Sequence, residues 1–217
     1  MHKKNADLNN NLNSKGVPTQ IKNPELVRKR RRQIVDAAVD LFVEHGYHKT
    51  TTRMIARAVG FSIGSLYEYV SSKEDILYLV CEAIHSEAEK EIKDALAGTG
   101  NSKETLREMI RGYFRVCCHM SEHILLLYKT TQYLPSHWKE QILEKELQII
   151  NLFVCALQRS SDDGNFPGLD LRAASLVGHN IAVLGQMWAF RKWYLAKQFT
   201  IDEFIENQSL FVMKLMF

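Results

Sequence analysis

Between Thr50 and Tyr69 nearly every residue is of a type that two short helices joined by a tight turn require. Thr50, Thr51 and Thr52 offer capping hydroxyls, and Ile55, Ala56 and Val59 return at helical spacing. Gly60 stands where the chain must turn with φ > 0, which a residue without Cβ does cheaply. Phe61 plugs the corner, Ser62 caps the next helix, and Leu66 and Tyr69 point back toward a core. Ala56 is small where that helix must cross closely. These residues describe a helix-turn-helix, the form that lays a helix in the major groove of DNA.

Charge placement agrees with that reading. The net charge is only +3, but residues 1–60 carry 12 Lys/Arg against 5 Asp/Glu and residues 61–217 carry 16 against 20. A basic front on a mildly acidic body means that the front meets the polyanion. Eleven glycines and four prolines in 217 residues favour helices over turn-rich β structure. No apolar run reaches the ~20 residues that span a bilayer, and the N-terminus lacks the apolar stretch of a signal peptide. A cytoplasmic protein without membrane contact is expected. Cys81, Cys117, Cys118 and Cys155 fall in helical patterns, so reduced thiols are expected there.

Along the chain, residues 1–22 are Asn- and Lys-rich without a period and read as a disordered tail. Asn23-Pro24 opens a first helix that runs to His45 and stops at Gly46. Ser71 with Glu74 forms a capping box for a long helix reaching about Ala97. Asn101 with Glu104 starts a helix over 102–120, and a shorter one follows over 122–133. Pro135-Ser136 opens a helix to Arg159, 160–169 is a loop, and Asp170 caps a helix to about Lys197. Thr200 with Glu203 starts the last. The expected architecture is all-α, about nine helices, with a DNA-binding domain at 23–72 and a helical effector-binding and dimerisation domain at 73–217.

The run Gly46-Tyr47, Thr50-Thr51, Ile55-Ala56, Val59-Gly60-Phe61-Ser62, Gly64-Ser65-Leu66-Tyr67, Tyr69 and Ser72-Lys73-Glu74 resembles the signature of the TetR family of bacterial transcriptional repressors. Three positions depart from it. Ile63, Glu68 and Val70 stand where that family often has lysine, histidine and phenylalanine, and the first two lie on the reading helix. The resemblance implies a dimeric repressor on palindromic double-stranded DNA, released by a small-molecule effector. It also implies phosphate contacts from Thr50, Thr51, Tyr67, Tyr69 and Lys73.

The residues themselves extend this list. Arg28 and Arg31 lie in a basic run ahead of the helix-turn-helix, and Arg53 lies in its first turn. Ser62 and Ser65 have short hydroxyls that suit close approach to DNA, and Gly64 offers no side chain to clash. Ile63 carries no hydrogen-bonding group, so its base contact is apolar, as with a thymine methyl.

In the body, Tyr113, Phe114, Cys117, Met120, Tyr128, Phe153, His179 and Met187 form the candidate effector pocket, fitting a hydrophobic or acyl-type ligand. Gly178, Ala182, Gly185 and Ala189 make a stripe of small residues that, with Phe204 and Phe211, is the expected dimer interface. Glu82-x-x-His85 has di-iron bundle spacing, and His119 with His123 sits at i, i+4. No second Glu-x-x-His accompanies the first, which argues against a metalloenzyme. A metal- or redox-sensing regulator of the same fold is the alternative, the redox form resting on the Cys117-Cys118 pair. Neither a resident metal nor a cofactor is expected.

Overall fold

The computed structural model describes residues 16–98, 100–165 and 169–216, and of Met216 only the backbone. Among them the chain forms nine α-helices and no strand. They are α1 (Pro24–His45), α2 (Thr52–Ala58), α3 (Ile63–Tyr67), α4 (Lys73–Leu96), α5 (Ser102–His119), α6 (Ser121–Thr130), α7 (Ser136–Asp162), α8 (Leu171–Leu195) and α9 (Ile201–Met216). A 3-10 turn, Thr131–Tyr133, follows α6 where one continuous helix to 133 was expected.

The helices begin where side chains satisfy orphan backbone amides. Asn23 accepts from the amides of Glu25 and Leu26, and Thr51 from that of Met54. Asn101 and Glu104 close a reciprocal box, as do Thr200 and Glu203. One cap differs from expectation. The amide of Asp75 donates to Ser72 Oγ (3.0 Å), and the Asp75 carboxylate takes the amide of Ser71 (2.8 Å). The box is therefore built on Ser72 and Asp75, one residue later than Ser71 and Glu74.

The chain divides into two compact units, Met1–Val80 with Gln132–Pro135, and Cys81–Thr131 with Ser136–Phe217. In the first, Ile34, Ala38 and Phe42 of α1, Ile55 of α2 and Leu66 of α3 form a core that Ile76, Leu77 and Val80 of α4 complete. Those buried α4 residues place the division inside the helix and not at 72/73. Gln132–Pro135 joins this unit through Tyr133, whose ring stacks on Tyr47 (5.4 Å, 4° between planes) and meets His48 edge-on.

Residues 1–15 of the expected tail lie outside the described residues, but residues 16–22 do not behave as a tail. Val17 is buried, and both the Thr19 hydroxyl and the Gln20 amide donate to the Glu68 carbonyl. In the second unit α5 packs on α7, α8 and α9, and α8 also packs on α6 and α7. Its interior holds Met109, Phe114, Cys117, Phe153 and Leu157.

Candidate functional site

The first unit displays its helix-turn-helix as the sequence spacing requires. Gly60 adopts φ 73°, the Phe61 amide closes the turn on the Ala56 carbonyl (2.8 Å), and Ser62 Oγ accepts from the Ser65 amide (3.0 Å). α3 is short because Tyr69 and Val70 both return their amides to the Leu66 carbonyl. On the outer face Thr51, Thr52, Arg53, Ile63 and Tyr67 surround an open hollow of about 430 Å³. Ile63 and Tyr67 are exposed in spite of their apolar surface, and Tyr67 and Thr52 share a hydroxyl hydrogen bond (3.2 Å).

A Cβ at Gly64 would meet only Ser62 Oγ, at 3.8 Å. Nothing inside the chain demands glycine at that point.

Four residues expected at the DNA surface have other employment. Thr50 is fully buried, its hydroxyl donating to the carbonyls of Leu41 and Gly46. The outward threonines are Thr51 and Thr52, one position later. Thr52 escaped the sequence reading although it sits in the same triplet; Thr50 lies in the loop before α2, whereas Thr52 opens the helix.

Tyr69 is buried beside Phe61. The Arg31 guanidinium donates to the carbonyls of Tyr69, Val17 and Pro18, clipping residues 17–18 and the end of α3 to α1. Lys73 Nζ donates to the carbonyls of Tyr47 and Thr50 and lies 4.2 Å from the centre of the Tyr47 ring, holding the loop ahead of α2. Its position is structural first. Arg28, by contrast, is exposed, with Glu25 at 4.0 Å. Charge-assisted hydrogen bonds contribute about 1.5–3 kcal/mol each when dry, and solvent discounts that for the part-buried Arg31. Arg31→Ala is expected to lower stability by about 1–3 kcal/mol overall, read as a fall in the unfolding midpoint; an unchanged midpoint would dissolve the clip.

The second unit brings Tyr113 and Tyr128 together around a void of about 20 Å³, room for a single water. Ile84, His85, Glu146, Ile149 and Gln186 also line it. The Tyr128 hydroxyl donates to Gln186 Oε1 (2.7 Å) and that of Tyr113 to the Ala182 carbonyl (3.3 Å). Burial pushes both tyrosine hydroxyls and the Glu146 carboxyl up, and burial with the Lys145 charge drives the His85 imidazole down to about 4. Every titratable group at this void is thus moved toward its uncharged form.

Phe114, Cys117 and Phe153 are core residues around Tyr113 and do not reach the void. Met120 and Met187 are half-buried against that core, while His179 is exposed and lines nothing here. His85, Glu146 and Gln186 were not foreseen, because a single polar residue on an apolar helix face gives no sign of whether it points inward.

The small stripe on α8 faces the chain's own interior. Gly178 abuts Ile150 and Val154, and a Cβ at Gly185 would stand 2.7 Å from Tyr113 Cε1 and 2.8 Å from Phe114 Cδ1. Ala182, Ala189 and Phe204 are buried too. Of the expected interface residues only Phe211 is exposed. The outward face of α8 instead shows Leu176, Val183 and Phe190 at seven-residue spacing, with Leu215 exposed on α9.

Glu82 is paired with Lys145 (2.9 Å), and among the described residues no three His, Cys, Asp or Glu side chains gather as a metal site. Cys117 and Cys118 are buried, their thiols pushed up to about 12 by burial. No helix of the described residues is long and apolar enough to cross a membrane.

Residues 34–79 match the family described as bacterial regulatory proteins, tetR family. The chain is 28% identical over 203 residues to the HTH-type transcriptional regulator HbdR of Aromatoleum sp. (strain CIB), covering 93% of this chain and 86% of that one. It is 27% identical over 150 residues to the fatty acid metabolism regulator protein of Bacillus subtilis (strain 168), covering 68% and 76%. In fold it is similar to the transcriptional regulator FadR from Bacillus subtilis in complex with stearoyl-CoA. That likeness has a TM-score of 0.67 at 24% identity, over 85% of this chain and 96% of that one. Helix-turn-helix geometry, family match and relatives agree: residues 34–79 match the tetR family of bacterial regulatory proteins, and the protein is a DNA-binding transcriptional regulator and not an enzyme.

Proposed function

We propose that the protein is an effector-controlled repressor that binds a two-fold operator as a homodimer and is released by an apolar, acyl-type molecule. The bare Cα of Gly64 on the exposed side of α3, beside Ser62 and Ile63, carries the DNA part of this reading. Thr51, Thr52, Arg53 and Tyr67, with Arg28 and the serines of α3, supply phosphate and sugar contacts that set register. Ile63 supplies an apolar base contact. One five-residue helix sees few base pairs, so two copies reading a palindrome give useful specificity. The exposed line Leu176, Val183 and Phe190, with Phe211 and Leu215, supports an interface on the outer faces of α8 and α9. The collapsed, charge-averse void around Tyr113 and Tyr128 supports an uncharged apolar effector group, and a similar fold holding stearoyl-CoA supports the acyl class.

The test is operator binding across a salt series, with each base pair of the operator replaced in turn. The logarithm of the binding constant should fall linearly with that of salt as phosphate contacts release counterions. Ile63→Ala should cost about 1–3 kcal/mol at one base position and little elsewhere. A uniform loss over all operators would assign Ile63 to folding, and salt-independent binding would end the reading.

A further inference from the structure

Beside the inner void lies a second and larger space. The groove between α4 and α7 measures about 300 Å³ and is bordered by His85, Glu89, Lys145, Gln148, Asn151 and Cys155 among others. His85 and Ile149 line both spaces. Groove and void therefore share a wall to which an imidazole and an aliphatic side chain contribute.

The imidazole is suited to moving. Its Nδ1 is buried and meets no side-chain partner among the described residues, so rotation forfeits at most a contact to the backbone of Cys81 on the same helix. The ring is neutral near pH 7, so no charge is dragged through an apolar wall.

The two spaces differ in chemistry. Toward the void the wall is Ile84, Ala88, Ile124 and Leu127, with tyrosine hydroxyls. Toward the groove Gln148 and Asn151 stand three residues apart on α7, on one face of the helix. The charges there are matched: Lys145 is held by Glu82, and Glu89 pairs with Lys93. A groove with amide side chains and paired charges suits a neutral, amide-bearing arm, while the void behind it suits an apolar group.

We infer that the effector enters the second unit through the α4–α7 groove, with His85 and Ile149 as the gate, and lodges as an acyl thioester. Its apolar acyl group passes into the enlarged void beside Tyr113 and Tyr128, its amide arm lies along Gln148 and Asn151, and its charged end stays in water. This rests on the acyl-effector reading above and adds the route and orientation.

Cys155 is a built-in reporter. It is exposed in the groove, whereas Cys81, Cys117 and Cys118 are buried. The experiment follows the rate at which a thiol reagent labels Cys155 in the full chain, with stearoyl-CoA, benzoyl-CoA, stearate or coenzyme A present, and calorimetry measures binding of each. An acyl-CoA at about ten times its Kd should slow labelling about tenfold by occupancy. Stearate, lacking the arm, should leave the rate unchanged.

His85→Trp fills the gate and should abolish both protection and operator release. Should that variant fold poorly, His85→Ala should speed acyl-CoA association. An acyl-CoA that binds while Cys155 labels at the free rate overturns the route and orientation and leaves the effector class standing. Binding of neither acyl-CoA overturns the effector class and the route with it.

Discussion

Replacing Gly185 by arginine should abolish cooperative folding of the second unit and not merely dissociate a dimer. The residue lies in the interior of α8, where alanine would gain up to ~1 kcal/mol of helix propensity. Against that gain, the new Cβ would press on ring carbons of Tyr113 and Phe114 at 2.7 and 2.8 Å, and both rings are buried. Overpacking of this kind costs about 1–3 kcal/mol, so Gly185→Ala should be neutral to mildly destabilising. Arginine adds volume and an unpaired buried charge, taking the loss beyond ~4 kcal/mol, a large share of a domain's total stability. Thermal unfolding followed by circular dichroism will show it as a lost transition. Val183→Glu is the counterpart on the outward face of the same helix, at 62% exposure. That variant should keep its midpoint and sediment as a monomer. A folded Gly185→Arg protein would mean that α8 does not seat against α5 as described.

Gly64→Glu should have the opposite profile, with folding intact and operator binding lost. The Cβ has ordinary room against Ser62 Oγ at 3.8 Å, and any residue but proline improves on glycine inside a helix. The midpoint should therefore hold or rise slightly. At the DNA surface the same side chain blocks close approach and sets a negative charge against phosphate. Loss of one base contact is worth about 1–3 kcal/mol, and repulsion adds to it, so affinity should fall roughly tenfold to a hundredfold or more. Titration of a labelled operator at fixed salt measures this. Unaltered affinity would remove α3 from the groove.

These two glycines also show where sequence reading succeeds. The exposed position of Gly64 was legible because its surroundings, Ser62 and Ser65, are local and a helix-turn-helix fixes their direction. The caps at Asn23, Thr51, Asn101, Asp170 and Thr200 were legible for the same reason: a cap is settled within three residues. Gly185 was misassigned because periodicity identifies a face without naming what the face meets. α8 carries two apolar faces, and the small one packs inward on Tyr113, Phe114, Ile150 and Val154.

Arg31 failed differently. A basic run looks like a phosphate ligand, and nothing in its composition announces that the carbonyls of Val17, Pro18 and Tyr69 will converge on one guanidinium. Thr50 sits in the loop before α2 and Thr52 in its first turn, and Ser71-Ser72 with Glu74-Asp75 allowed two registers for one capping box. Such errors are small in sequence and decide which side chains meet a ligand.

The assignment of Gln132–Pro135 to the first unit bears on how this protein can be cut and recombined. The backbone passes between the units at three places, after Val80, before Gln132 and after Pro135. A fragment ending at Val80 would lack the Tyr133 ring stacked on Tyr47, the residue whose hydroxyl donates to Glu74 and whose carbonyl takes Lys73. The reading head is therefore not a detachable cassette. A chimera that transplants it onto a foreign effector body must also bring an aromatic residue in the connection after that body's sixth helix, or leave Tyr47 with one face bare.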